Sequence, residues 1–152
     1  MKIRLLAVGR SMPGWVEAGW NEYVRRLPRQ LKPELEAVAP APGEAARARH
    51  AEGRALLKRC GDDDHIVALD GGGRAWSTQD LAGRLDDWMM GGRPVSLLVG
   101  GAGGHEAGLL AACDQRWSLG PLTLPHMLVR VIVAEQLYRA WAMISGHPYH
   151  RG

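Results

Sequence analysis

Short apolar runs alternate with longer segments of helical periodicity along this chain. Each run ends at glycine, proline or a charged residue, as is typical of a strand buried in a sheet. The runs predict strands at residues 2–8, 34–39, 65–69 and 95–99. Helical spacing predicts helices within residues 11–27, 44–59, 77–90 and 125–145. The alternation predicts one α/β domain over residues 1–152, with a parallel-rich sheet flanked by helices and a site at the strand ends.

Two glycine-rich segments directly follow predicted strands, at residues 70–73 and 100–104. Glycine lets backbone amides approach a ligand that a Cβ atom would exclude, so both segments are candidate ligand loops. A plain tight turn explains each segment alone equally well. Neither has the spacing of a dinucleotide or nucleoside-triphosphate loop, which disfavours those enzyme classes.

An apolar loop at residues 117–126 leads into the most hydrophobic helix of the chain. Gly120, Pro121 and Pro125 stiffen this loop, which is expected to wall an adenine or a methionine side chain. A plain buried crossover is the alternative. The leucines that offer the apolar wall are Leu119, Leu122 and Leu124.

Two polar pairs lie on the helix after this loop. His126 and Arg130 share one face, and Glu135 and Arg139 share roughly the opposite face, each pair four residues apart. A structural ion pair is the favoured interpretation of Glu135 and Arg139. A subunit interface beside the site would instead make Arg139 available to RNA.

The chain ends in a segment rich in titratable and stacking groups, with His147, Tyr149 and His150. We expect it to order over a substrate, and a disordered terminus is the alternative. No carboxylate or cysteine nearby completes a metal shell, so no metal site is expected. Among the tryptophans, Trp15 and Trp76 are the candidates for stacking on RNA.

Composition narrows the class of protein. A net charge of +3, carried mostly by arginine, leans mildly towards nucleic acid, although base composition of the genome explains it as well. Cys60 and Cys113 have no disulfide or zinc spacing, which favours reduced thiols in the cytoplasm. No segment is expected to be a signal peptide or to span a membrane.

Five segments in order resemble the bacterial RlmH (YbeA-like) family, which methylates N3 of a pseudouridine in large-subunit ribosomal RNA. They are LLAVG at 5–9, LDGGGRAWST at 69–78, LLVGGAGG at 97–104, WSLGPLTLPHMLVRVIVAEQLYRAW at 117–141 and HPYHR at 147–151. The resemblance covers essentially the whole chain. It implies a SPOUT methyltransferase fold with a C-terminal trefoil knot, a homodimer, S-adenosyl-L-methionine as methyl donor, and 23S rRNA within the assembled ribosome as substrate.

Carried over by position, the resemblance also implies site residues. His147, Tyr149 and His150 match the family tail and are the candidates on the substrate side. Tyr149 and His150, together with Arg139 from the helix, are the catalytic candidates. Gly71 and Gly72 depart from the family, where bulkier residues are frequent. The implied cofactor-binding residues are Leu69, Gly100, Gly101, Leu119, Gly120, Pro121, Leu122, Thr123 and Leu124.

Two other functions stay open at this point. One is a catalytically silent ribosome-binding or assembly protein that keeps the fold, and the other is an enzyme for a different nucleotide in the same cleft. If the glycine loop binds the cofactor, valine at Gly100 or Gly101 is expected to leave the protein folded and to block the ligand's approach.

Overall fold

The structure is a computed structural model that describes residues 1–151. The strands are β1 (Ile3–Val8), β2 (Glu34–Val38), β3 (His65–Ala75), β4 (Val95–Val99) and β5 (Gln115–Ser118). The helices are α1 (Gly14–Val24), α2 (Ala45–Arg59), α3 (Thr78–Gly91), α4 (Ala107–Ala112) and α5 (His126–Ser145). Short 3-10 turns lie at Arg29–Leu31 and Pro148–Arg151.

All strand pairs in the sheet are parallel, and the strand order is β2-β1-β4-β3-β5. Parallel strands bring their carboxyl ends to one edge, where Ala7 near the end of β1 and Leu69 of β3 both pair with Val99 at the end of β4, while β3 itself continues further. This confirms the predicted α/β class with a parallel sheet. Strand pairing alone does not define a knot, so the trefoil knot stays a prediction.

The sheet is covered by helices on both faces because its strands are apolar on both faces. Leu5 and Leu97 point into a large cluster with α1, α3 and α5. Their neighbours Leu6 and Leu98 point to the opposite face, against α2 and α4. Side chains alternate along a strand, and this alternation divides the core into two layers.

The predicted start of α3 is confirmed in detail. The Ser77 side chain accepts a hydrogen bond from the Asp80 backbone amide, and the Asp80 carboxylate accepts one from the Ser77 amide. This capping box satisfies amides that the first helical turn leaves free. The pKa of Asp80 is lowered, first because the Ser77 backbone amide donates to its carboxylate and so favours the charged form.

The predicted end of β3 at Leu69 is wrong. The strand continues to Ala75 through the three glycines, and a bulge between Leu69 and Arg74 lets both residues pair with Trp117. A Cβ atom on Gly73 would lie 2.7 Å from the Arg116 backbone. Gly73 therefore permits close approach of two strands rather than of a ligand.

Two elements were not predicted from the sequence, the short helix α4 and the edge strand β5. α4 spans six residues and β5 spans four, so neither is long enough to show a clear period. Within residues 1–151, no helix has the length and apolar character needed to cross a membrane. The same residues contain no cluster of histidine, cysteine and acidic side chains that could bind a metal ion.

Candidate active site at the sheet edge

A cavity of about 440 Å³ lies at the carboxyl edge of the sheet, and we call it the edge cavity. The ends of β3 and β4, the loop after β5 and the first turn of α5 form its walls. Every residue predicted for the cofactor site lines it. They are Leu69, Gly100, Gly101, Leu119, Gly120, Pro121, Leu122, Thr123 and Leu124. Their role in cofactor binding stays a prediction.

Other residues of the edge cavity were missed in the sequence. Most of them are direct neighbours of predicted positions. Extending each predicted site from the end of its strand through the whole following loop would have included them. Trp117 and Val129 carry no such signal, because their place depends on β5 and on the angle of α5. The additional lining residues are Asp70, Gly71, Val99, Ala102, Gly104, Trp117, His126 and Val129.

The turn at residues 100–104 folds back on itself at the rim of the edge cavity. Gly104 donates its backbone amide to the Gly101 carbonyl at 3.0 Å and has a φ of +74°. A Cβ atom on Gly100 would lie 2.9 Å from the Gly104 backbone, and one on Gly101 would lie 3.1 Å from the Val8 side chain. Valine at either position would collide with the protein itself. The expectation that such a variant stays folded and only blocks the ligand therefore does not hold.

The loop after β5 is held in shape by its own polar contacts. The Ser118 hydroxyl accepts the Gly120 amide at 3.1 Å, and Gly120 has a φ of +116°. Leu122 on this loop is 77% exposed, although it lines the edge cavity. Such an exposed leucine contributes nothing to the hydrophobic core. A ligand with an apolar group in the edge cavity would explain why an apolar side chain lies there.

Arg130, on the second turn of α5, ties this helix to the end of β1. Its guanidinium is buried and donates to the carbonyl oxygens of Val8 at 3.1 Å and Gly9 at 2.7 Å. Burial lowers the pKa of Arg130, since the charged form loses hydration. Arg130 and His126 therefore have different roles on α5, because His126 lines the edge cavity whereas Arg130 fixes the helix against β1.

A second group of polar residues lies towards the end of α5, and we call Glu135, Arg139, Tyr149 and His150 the tail cluster. Arg139 donates to the Glu135 carboxylate at 2.7 Å, which confirms the predicted ion pair. The Tyr149 hydroxyl donates to the same carboxylate at 3.3 Å. Its ring packs at 4.6 Å on Tyr138 and lies under the Arg139 guanidinium. The tail is therefore docked on its own helix.

Contacts of the tail cluster determine the protonation state of the Tyr149 phenol and the tautomer of the His150 ring. Burial raises the pKa of Tyr149 to about 12, and the Glu135 charge adds to the rise. At neutral pH Tyr149 is therefore a hydrogen-bond donor and not a base. His150 Nδ1 lies 2.6 Å from the His147 carbonyl oxygen, which can only accept, so Nδ1 carries the proton in the neutral ring. The Nε2 lone pair is then free to accept a proton.

Comparison with known proteins identifies the family. The model of a family described as predicted SPOUT methyltransferase matches residues 1–150. The chain belongs to the SPOUT methyltransferase family. It is 49% identical over 99% of both chains to the ribosomal RNA large subunit methyltransferase H of Hahella chejuensis. It is 50% identical to the protein of that name from Chromohalobacter salexigens, over 99% of this chain and all of the relative.

Solved structures of SPOUT-like proteins share the fold at low sequence identity. A probable methylase family protein from Haemophilus influenzae matches with a TM-score of 0.60 at 14% identity, over 97% of this chain and 69% of that chain. The SpoU methyltransferase AviRb from Streptomyces viridochromogenes, solved with AdoMet, matches with a TM-score of 0.50 at 18% identity. That match covers 95% of this chain and 61% of AviRb.

In this SPOUT methyltransferase, the tail cluster and the edge cavity are far apart within one chain. Val129 is the last residue of α5 that lines the cavity, and Arg139 lies ten residues further along this helix, which at about 1.5 Å per residue is roughly 15 Å. Arg139, Tyr149 and His150 are absent from the described cavity wall. A single copy of the chain therefore does not bring the predicted catalytic residues to the predicted cofactor residues.

Proposed function

We propose that this protein transfers a methyl group from S-adenosyl-L-methionine to N3 of a pseudouridine in 23S rRNA of the assembled ribosome. The observation that carries the proposal is the identity of about half, over essentially the full length, to proteins named ribosomal RNA large subunit methyltransferase H. Family membership establishes a methyltransferase, and the relatives' names point to large-subunit RNA as its substrate.

The edge cavity fits the proposed methyl donor. Its volume lies within the roughly 300–1,000 Å³ of small-molecule sites. Leu119, Leu122 and Leu124 offer apolar walls for a thioether and a purine face, and the Asp70 carboxylate lies at the rim. Cβ atoms on Gly104 and Gly120 would meet no protein atom, which leaves open space for a ligand beside the backbone.

The chain's residues have a limited chemical task in this reaction. The bound donor supplies an electrophilic methyl group, so the protein needs no strong nucleophile of its own. It has to align the pseudouridine N3, exclude water and accept the weakly acidic imide proton. His150 Nε2 suits the proton acceptor, Tyr149 suits a hydrogen-bond donor to the base, and Arg139 suits a contact to negative charge.

The proposed site is composite, formed between two copies of the chain in the cytoplasm. A separation of roughly 15 Å along α5 between Val129 and Arg139 favours a site in which the tail cluster of one copy reaches the edge cavity of a second copy. Apolar side chains on α5 and near its ends are left partly or fully exposed, including Leu128, Ile132 and Ile144. A homodimer packed along α5 would cover them and place one tail beside the partner's cavity.

A catalytically silent ribosome-binding protein is the second candidate. The observation in its favour is that one chain does not unite the edge cavity with the tail cluster. Calorimetry with S-adenosylmethionine, S-adenosylhomocysteine, NAD and ATP separates the candidates. Selective binding of the first two supports the methyltransferase, absence of binding supports the silent protein, and selective binding of NAD or ATP supports another enzyme.

The substrate is tested by mass-spectrometric mapping of 23S rRNA from a strain that lacks this protein. We expect one pseudouridine to lose a methyl group and to regain it when purified protein and donor are added to the mutant's ribosomes. A small chain with a net charge of +3 has limited surface for reading sequence, so assembled ribosomes should be better substrates than free RNA. Efficient methylation of an isolated stem-loop would contradict this substrate.

A further inference from the structure

A second open groove, of about 530 Å³, lies beside the edge cavity, and its function is not explained by methyl-donor binding. The extension of β3, the edge strand β5 and the helix α3 form its walls. The residues that give it its character are Arg74, Trp76, Arg84 and Arg116, above a floor of Gly72 and Gly73. We call it the arginine groove.

The arginine groove carries an excess of positive charge. Three arginines and one acidic residue, Asp114, line it. Arg116 is held by Asp70 at 2.7 Å, whereas the Asp114 carboxylate accepts the Ile66 backbone amide at 2.8 Å. Within residues 1–151, no carboxylate lies within ion-pair distance of Arg74 or Arg84. The charges of Arg74 and Arg84 are therefore not taken up in ion pairs, although the Asp80 carboxylate on α3 is close enough to Arg84 for its pKa to be lowered by that charge.

Arg84 is fixed in position by a stack of aromatic rings. Trp117, which is buried, packs parallel to Trp76 at 5.1 Å, and the Arg84 guanidinium lies over the outer face of Trp76 at 4.2 Å. The Arg84 Nε is buried and has no hydrogen-bond partner among the described residues. A guanidinium fixed on an indole loses little freedom when it binds a phosphate or stacks on a base.

The arginine groove and the edge cavity share two strands. Gly71 lines the cavity and Arg74 lines the groove, and both lie in or at the end of the bulge of β3 between Leu69 and Arg74. On β5, Trp117 lines the cavity and Arg116 lines the groove. A nucleic-acid strand with one base at the edge cavity can therefore extend its backbone into the groove.

We infer that the arginine groove is a binding site for the phosphate backbone of the RNA substrate, flanking the nucleotide that is methylated. This inference rests on the proposed rRNA methyltransferase function and adds to it the surface that holds the RNA. Arg74 and Arg84 provide the phosphate contacts, and the stack of Trp117 and Trp76 holds Arg84 in place. The contacts to phosphate are independent of base sequence and position the strand.

The test is a double variant, Arg74→Gln with Arg84→Gln, assayed with unmethylated 70S ribosomes. The matched control is Arg47→Gln with Arg54→Gln, two exposed residues of α2 on the other face of the sheet. The groove variant should raise the KM for ribosomes about tenfold or more and leave kcat nearly unchanged, because positioning contacts are lost. The dependence of log KM on log salt should become shallower by about 0.7 for each lost contact to a single strand. The control should change neither quantity.

Two further measurements keep the outcome interpretable. Calorimetry should give the same affinity for S-adenosylmethionine in the groove variant and the wild type. Loss of Arg84 could unfold the protein, so the single variant Arg74→Glu, at an exposed position, is assayed as well. This variant alone should raise the KM for ribosomes. Equal KM and salt dependence in groove and control variants would overturn the inference. If the wild type methylates no ribosome, the proposed function fails, while cosedimentation of the same variants with 70S ribosomes still tests the groove.

Discussion

The edge cavity and the tail cluster differ in which parts of the chain form them. The cavity is formed by backbone geometry at the ends of parallel strands, and one chain assembles it fully. The tail cluster consists of side chains, with Arg139 and Tyr149 joined through Glu135 on a helix that leads away from the cavity. Binding of the methyl donor is therefore expected to be a property of the single chain, and catalysis a property of the dimer.

The two regions should also respond differently to mutation. A change in the edge cavity should alter donor affinity, because its residues would contact the donor directly. A change in the tail cluster should alter turnover and leave donor affinity intact, because in a composite site the tail meets the substrate beside another chain's cavity. Three substitutions test this separation, in order of decreasing effect.

His150→Ala should have the largest effect. Loss of a positioned proton acceptor lowers turnover by about 10²–10⁴-fold, and the affinity for S-adenosylmethionine should stay at the wild-type value. Single-turnover methylation of ribosomes and calorimetry measure the two quantities. His50→Ala is the control, since this exposed histidine on α2 contacts Glu106 and belongs neither to the tail cluster nor to the lining of the edge cavity. A normal rate for His150→Ala would remove this residue from the reaction.

Leu122→Ala should have an intermediate effect of the opposite kind. The side chain is 77% exposed, so its loss should not lower the free energy of unfolding. Donor affinity should fall about tenfold, because apolar area covered by the ligand is lost. Met90→Ala removes an equally exposed side chain at the end of α3 and serves as the control. Unchanged donor affinity in Leu122→Ala would place the donor elsewhere.

Glu135→Gln should have the smallest effect and reports on the tail cluster alone. The Glu135 carboxylate disfavours a second negative charge on Tyr149, so its removal should lower the pKa of Tyr149 from about 12. Burial is the larger cause and persists, so the pKa should stay above its ordinary value. Ultraviolet titration of phenolate, with Tyr149→Phe to assign the signal, measures the shift. A pKa that does not move would show that the docked tail is not populated in solution.

Much of the fold and of the edge cavity could be predicted because their signals are local. An apolar run that stops at glycine marks the end of a strand, and parallel strands end at the same edge, so Leu69 and Gly100 had to lie close together. Local reasoning failed where a contact decides the conformation. The glycines after Leu69 continue β3 because β5 lies against Gly73, and the four residues of β5 show no pattern of their own.

The tail cluster could be predicted only in part. The spacing of Glu135 and Arg139 on one helix face specifies their ion pair. No sequence signal indicated that Tyr149 docks on Tyr138, because that contact depends on the turn after Gly146. Removal of the tail loses an aromatic contact of about 0.5–1.5 kcal/mol, so it affects stability as well as turnover.

The most direct test of the composite site is complementation between two inactive chains. One chain carries Leu122→Trp and Thr123→Trp, to fill the edge cavity, and calorimetry first verifies that it no longer binds the donor. The other chain lacks residues 147–152. A mixed dimer contains one intact cavity and one intact tail on different chains. If the site is composite, mixing the two chains should restore methylation of ribosomes, in proportion to the fraction of mixed dimers. A tail-deleted homodimer that methylates at the wild-type rate, or a mixed dimer without activity, would contradict it.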